Sequence, residues 1–178
     1  MDPWTPSIAF LYAAPLVLRY RSSDGGPDKV VHIDLLNIDG ELDGVKEGLQ
    51  SVRKNVKLRV DCAKYETLRD QLHSPTTNII HYSGHGMDNG ALCFESGDGF
   101  AELFEPRDLE LMCNAQGNEQ AKERLVFVSA CHSESVARAF LKAGIKHVIA
   151  VKLEYKVPDE CARYFASQFC EFFWGGSR

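Results

Sequence analysis

Two apolar segments of this chain end directly before residues that carry chemistry. One runs into His-Tyr-Ser-Gly-His-Gly at residues 81–86, and the other runs into Ser-Ala-Cys-His at residues 129–132. Short, continuous apolar runs of this kind are typical of buried strands in a parallel sheet. Parallel strands end at one common edge of an α/β sheet, and ligands bind at that edge. His85 and Cys131, which are 46 residues apart, are therefore expected to meet there.

Strands and helices alternate along most of the chain. Two hairpins are predicted at residues 16–36 and 91–104, each around a turn rich in glycine, serine and aspartate. The other predicted elements are strands at 7–14, 56–60, 78–82, 124–130 and 147–151, and helices at 39–52, 65–73, 106–113, 135–142 and 158–173. This order predicts an α/β fold in three layers, with a parallel-dominated central sheet flanked by helices.

The composition is that of an ordinary globular protein, with 44% hydrophobic and 25% charged residues. The length of 178 residues predicts a single domain spanning residues 1–178. A net charge of −5 without any basic cluster argues against a nucleic-acid-binding surface. The six cysteines form no Cys-x-x-Cys pair, and several lie in apolar stretches, so we expect reduced thiols in a cytoplasmic protein.

No segment of the sequence predicts a membrane anchor. The first apolar run, from Ile8 to Leu18, follows no basic segment and contains Pro15, so a buried first strand is favoured over a signal peptide. No stretch reaches the roughly 18 apolar residues that a membrane-spanning helix requires. We therefore expect neither a nucleic acid nor a membrane as a partner.

Cys131 lies where a predicted strand gives way to a helix that begins near residues 133–135. The partial positive charge at a helix N-terminus stabilises a nearby thiolate, which is the reactive form of cysteine. A buried structural cysteine is the alternative interpretation for any single cysteine of the chain. The position at the end of a strand distinguishes Cys131 and makes it a candidate nucleophile.

His85 lies between two glycines, Gly84 and Gly86. Glycines allow the backbone to turn sharply and to approach a substrate closely. His85 is therefore a candidate general base, and the backbone amides of Gly86 and Cys131 are candidate donors to an oxyanion. The alternative is a polar loop histidine without a catalytic role.

A zinc site is a further alternative, because His81, His85, Cys131 and His132 are all competent ligands. On a helix, histidines four residues apart share one face and can bind zinc, but here the spacing spans a strand end and a glycine loop, so that argument does not apply. No carboxylate completes the pattern, so no metal is expected. His81 lies within the strand and is expected to be a structural, hydrogen-bonded histidine, and His132 receives no role.

The two motifs, in this order and spacing, resemble those of the caspase-like cysteine peptidase superfamily. There, a histidine followed by glycine pairs with a strand-end cysteine about 50 residues further on. Within the superfamily the chain is most similar to CHAT domains, which are often attached to tetratricopeptide repeats. The similarity runs from about Ile8 to Phe173 and includes Glu41 in the first helix.

The resemblance implies a caspase-like three-layer sandwich in which His85 is the general base and Cys131 the nucleophile, with Gly86 beside the oxyanion. It also implies cleavage of a protein or peptide substrate through a thioester intermediate, without a cofactor. Ser129, a candidate substrate-pocket residue, stands two residues before the cysteine, where relatives that cleave after arginine or lysine have an acidic residue. The sequence therefore predicts neither a basic nor an acidic cleavage specificity.

The similarity ends at Phe173, where the family usually continues with another helix and an edge strand. Two interpretations remain open: a fragment, or a shortened domain whose bare sheet edge pairs with a regulatory protein or a second copy. Two functions also remain open. The leading hypothesis is a cysteine endopeptidase with a Cys-His dyad, and the alternative is a catalytically silent CHAT-like signalling or interaction domain of a larger protein.

Overall fold

The computed structural model of the protein describes residues 5–20, 28–52, 55–114, 124–152, 154–156 and 158–175. Its strands are β1 (Ser7–Tyr12), β2 (Val17–Tyr20), β3 (Lys29–His32), β4 (Lys57–Cys62), β5 (Ile79–Ser83), β6 (Leu92–Glu95), β7 (Phe100–Phe104), β8 (Leu125–Ser129) and β9 (His147–Ile149). Its helices are α1 (Ile38–Gln50), α2 (Tyr65–His73), α3 (Pro106–Asn114), α4 (Glu134–Lys142) and α5 (Asp159–Gly175). The alternation predicted from the sequence is confirmed.

A five-stranded parallel sheet forms the centre of the fold, in the order β4-β1-β5-β8-β9. Strands β5 and β8 are neighbours, and their register pairs Ile79 with Leu125 at one end and Ser83 with Ser129 at the other. The two strands therefore end at the same level. The predicted α/β class, with a parallel sheet flanked by helices, is confirmed.

Side chains alternate between the two faces of this sheet and feed two separate apolar cores. On one face, Ile80 and Val126 pack with residues of α2, α3 and α4. On the other face, Phe10 and Phe127 pack with residues of α1 and α5. His81 lies on this second face, with its ring centroid 4.8 Å from that of Phe10 and 4.4 Å from that of Phe127.

A second sheet, in the order β3-β2-β7-β6, joins the two predicted hairpins. Each hairpin is antiparallel, and β2 and β7 pair in parallel, which the sequence analysis did not predict. The predicted turn around residues 22–27 lies outside the described residues. This sheet matters for function because β6 supports the segment after β5, and the segment after β3 leads over the end of β5 into α1.

Helices α1 and α5 pack together unusually closely because two glycines of α1 face the backbone of α5. A Cβ atom added at Gly44 would lie 2.8 Å from the carbonyl oxygen of Arg163, and one added at Gly48 would lie 2.5 Å from that of Ser167. No side chain can be accommodated at either position unless the helices separate.

Among the described residues, no helix is both long and apolar enough to cross a membrane.

We predict that Gly48→Ala lowers the free energy of unfolding by about 1–3 kcal/mol, because the added methyl group forces α1 away from α5. Denaturation in urea would measure the change. Gly175→Ala is the matched control, since its Cβ would lie 3.6 Å from Val52, at an ordinary contact distance. Equal denaturation midpoints for the two variants would contradict this account of the packing.

Candidate active site

The candidate nucleophile and the candidate base lie at the same edge of the central sheet. His85 is two residues beyond the end of β5, and Cys131 is two residues beyond the end of β8. Because the register pairs Ser83 with Ser129, both residues emerge at the same level, and both line one small cavity. The cavity is also lined by residues of α1 and by Ala162 of α5. The sequence-based expectation that these two strand ends converge is confirmed.

Gly86 brings the two segments into direct contact. A Cβ atom at this position would overlap the backbone carbonyl oxygen of Cys131, so any residue other than glycine would push the segments apart. Neither Gly84 nor Gly86 has a positive φ angle. Neither glycine is therefore required by a left-handed backbone conformation, and close approach of two backbones is what requires Gly86.

The backbone of this segment is supported by β6. Gly86 forms an antiparallel bridge with Leu92, and the hydrogen bonds of that bridge run from the amide of Cys93 to His85 and from the amide of Met87 to Ala91. The bridge is formed by backbone groups of His85 and Met87, the neighbours of Gly86. The amide and the carbonyl of Gly86 itself take no part in it. The Gly86 amide can therefore donate elsewhere.

The His85 ring is oriented by a backbone carbonyl. Its Nε2 atom lies 2.7 Å from the carbonyl oxygen of Asp34, in the segment between β3 and α1. A carbonyl only accepts hydrogen bonds, so Nε2 carries the proton and Nδ1 is the basic nitrogen of the neutral ring. Sequence reasoning missed this contact, because a carbonyl contributes no side-chain signal.

The turn that follows Cys131 is held in an unusual conformation. His132 has a φ angle of 53°, in the left-handed region that non-glycine residues seldom occupy. Its Nε2 atom lies 3.3 Å from a carboxylate oxygen of Asp88 in the segment after His85. The side chain of His132, to which the sequence analysis gave no role, thus connects the two segments that carry the candidate residues.

Ser133 stabilises the same turn through hydrogen bonds of its buried side chain. Its hydroxyl is fully buried, donates to the carbonyl of Ala130 at 2.8 Å and accepts from the amide of Val151 at 3.0 Å. Ser133 is also the N-cap residue of α4, so Cys131 lies just before the N-terminus of this helix, as the sequence predicted.

A buried carboxylate lies beneath the two candidate residues. Glu41 of α1 accepts a hydrogen bond from Nε2 of His81 at 2.7 Å through Oε1, and one from the hydroxyl of Ser83 at 2.7 Å through Oε2. Ser129 donates a further hydrogen bond to this carboxylate. Glu41 thereby connects α1 to the ends of both β5 and β8. The prediction that His81 is a structural, hydrogen-bonded histidine is confirmed.

Burial alone would raise the pKa of the Glu41 carboxyl. The hydrogen bond and charge interaction with His81, together with the hydrogen bonds from Ser83 and Ser129, outweigh it and hold the pKa below its ordinary value of 4.5. Glu41 is therefore ionised at neutral pH. Its spacing from Val45 and Gly48, on the buried side of α1, is the helical signal that could have revealed it.

Two of the other cysteines, Cys93 and Cys170, are buried, unlike Cys131. All five cysteines with described side chains are free thiols, and Cys131 is partly exposed. Burial raises the pKa of Cys93 and that of Cys170 to about 11, so these two thiols are inert at neutral pH. Within the described part of the chain, no three histidine, cysteine or acidic residues are grouped so that they could hold a metal ion.

A protein-family model described as the CHAT domain matches residues 14–177 of the chain. CHAT domains are a caspase-like family, and the parallel sheet flanked by helices has the architecture expected of them. The match covers nearly the same residues as the similarity noted from the two motifs. No curated protein matches the chain.

We predict that Gly86→Ala both destabilises the protein and slows alkylation of Cys131, because the methyl group displaces the Cys131 carbonyl. Iodoacetamide labelling followed by peptide mass spectrometry would measure the rate. Gly99→Ala is the control: its φ of 87° costs about 1 kcal/mol in strain, but a Cβ there meets nothing within 4 Å and lies away from the cavity. Unchanged labelling in Gly86→Ala would show that the contact does not position Cys131.

The ionised Glu41 also predicts a pH dependence of stability. Because its pKa is lower in the folded protein, its contribution is complete above the unfolded value and is lost as pH falls through the folded value. We expect the free energy of unfolding to decrease as the pH drops below about 4.5. The Glu41→Gln variant should lack this part of the decrease. Asp39→Asn, at an exposed position of the same helix, is the control. Parallel pH profiles for wild type and Glu41→Gln would contradict the assignment.

Proposed function

We propose that the chain, which belongs to the CHAT domain family, is a cysteine endopeptidase that uses Cys131 as nucleophile and His85 as general base. The observation that carries the proposal is the convergence of both residues on one cavity, with the His85 ring held by the Asp34 carbonyl. An orienting group on the far nitrogen of the base is the arrangement that nucleophilic catalysis requires.

The proposed reaction follows from the tautomer of His85. Nδ1 accepts the proton of the Cys131 thiol, and the thiolate attacks the carbonyl carbon of the scissile peptide bond. The negative charge that develops on the carbonyl oxygen is stabilised by the amides of Gly86 and Cys131. The imidazolium then donates its proton to the departing amine, which leaves an acyl-enzyme thioester.

Hydrolysis of the thioester completes the proposed cycle. His85 takes a proton from water, the resulting hydroxide attacks the thioester carbon, and the second tetrahedral intermediate expels the Cys131 thiolate. The imidazolium returns the proton to that sulfur. No metal or cofactor takes part, and the substrate is a protein or peptide segment whose scissile bond can reach Cys131 at the cavity.

We expect Cys131 to react with iodoacetamide faster than Cys161, although Cys161 is the more exposed thiol. His85→Ala should slow labelling of Cys131 by about tenfold or more and leave Cys161 unchanged, because the proposed base serves Cys131. Peptide mass spectrometry after short exposures would resolve the two sites. Equal rates at both sites, or no effect of His85→Ala, would contradict the proposed dyad.

Catalysis itself is tested with a peptide library and with the same variants. Cys131→Ala should abolish cleavage, and His85→Ala should lower kcat by about 10²–10⁴-fold, which is the usual loss on removal of a general base. An activated Cys131 together with no cleavage of any peptide would favour the alternative, a CHAT domain that signals or binds partners without hydrolysis.

A further inference from the structure

We propose that the cavity beside Cys131 is the specificity pocket and that it accepts a lysine side chain, the ammonium group binding over Glu41. The proposal rests on the proposed peptidase function. It specifies which substrate residue precedes the scissile bond. The structure places the Glu41 carboxylate of α1 in the lining of this cavity, together with Ser83 and Ser129.

The charge of the cavity favours a cationic side chain. Its lining includes Glu41, Ser83 and Ser129 at the floor, and no lysine or arginine is among the described residues that line it. Glu41 lies in the first turn of α1 and offsets the positive end of that helix dipole. An aspartate or glutamate side chain would therefore enter a pocket that already holds a buried negative charge.

The hydrogen bonds at the floor distinguish lysine from arginine. Oε1 of Glu41 accepts from His81, and Oε2 accepts from Ser83, so the two oxygens are committed to different donors. A guanidinium group binds a carboxylate best when both oxygens face it side by side. An ammonium group has three donors, which match the Glu41 carboxylate and the hydroxyl oxygens of Ser83 and Ser129.

The size of the cavity leads to the same choice. Its volume is about 50 Å³, which is room for a few water molecules. A compact ammonium group can replace such water, whereas the planar guanidinium group is larger. Leu36, Ile38 and Ala162 supply apolar surface along the wall, on which the methylene groups of a lysine can lie.

The test uses peptidyl acyloxymethyl ketones, which label a catalytic cysteine without requiring turnover. Four probes share one peptide and differ only in the residue next to the ketone: lysine, norleucine, arginine or glutamate. We expect Cys131 to be labelled at least about tenfold faster by the lysine probe than by the norleucine probe, which has the same length without the charge. Arginine should be intermediate, and glutamate slowest.

Variants connect this preference to the floor of the pocket. Glu41→Gln should bring the lysine-to-norleucine ratio close to one, and Ser129→Ala, a milder change that keeps the carboxylate, should lower the ratio in part. Asp39→Asn is the matched control, since it removes an exposed carboxylate two residues away and should preserve the ratio. Circular dichroism and denaturation midpoints would show that each variant is folded.

The outcomes separate this inference from the proposed function. Labelling of Cys131 by all four probes at similar rates, or fastest by the glutamate probe, would overturn the lysine pocket and leave the peptidase intact. A lysine preference that survives in Glu41→Gln would overturn the role of Glu41. No labelling of Cys131 by any probe would overturn the peptidase, and the specificity pocket with it.

Discussion

The site depends first on the pairing of β5 with β8. This register brings Ser83 level with Ser129, so the segments carrying His85 and Cys131 leave the sheet side by side. The contact of Gly86 with the Cys131 carbonyl then removes the space between the two segments. If one strand slipped by one residue, each of its side chains would move to the opposite face of the sheet. His85 and Cys131 would then be separated.

The buried Glu41 gives this arrangement a second layer. Desolvation of a carboxylate is costly, and here three hydrogen bonds from His81, Ser83 and Ser129 offset that cost. The same contacts hold α1 against both strand ends, so one ionised group supports the geometry of the site and determines the charge of its cavity. Because α1 packs closely against α5 at Gly44 and Gly48, the position of Glu41 also depends on that packing.

Local patterns in the sequence predicted the strands, the helices and the convergence of His85 and Cys131, because apolar runs and strand ends are properties of short segments. The Asp34 carbonyl could not be predicted, since it depends on where the segment after β3 crosses the site. Pairing of β2 with β7 is equally non-local. Glu41 left a signal in its helical spacing from Val45, but its partners became identifiable only once α1 was placed against the sheet.

The central claim is that the His85 ring, protonated at Nε2, directs Nδ1 to the thiol of Cys131. Long-range ¹H–¹⁵N spectra of the histidine side chains would test it most directly, with Cys131→Ala and Cys93→Ala compared against wild type. We predict the Nε2–H tautomer for His85 and a marked change in its Nδ1 chemical shift only in Cys131→Ala. A protonated Nδ1 in a neutral ring, or identical spectra for wild type and Cys131→Ala, would contradict the account.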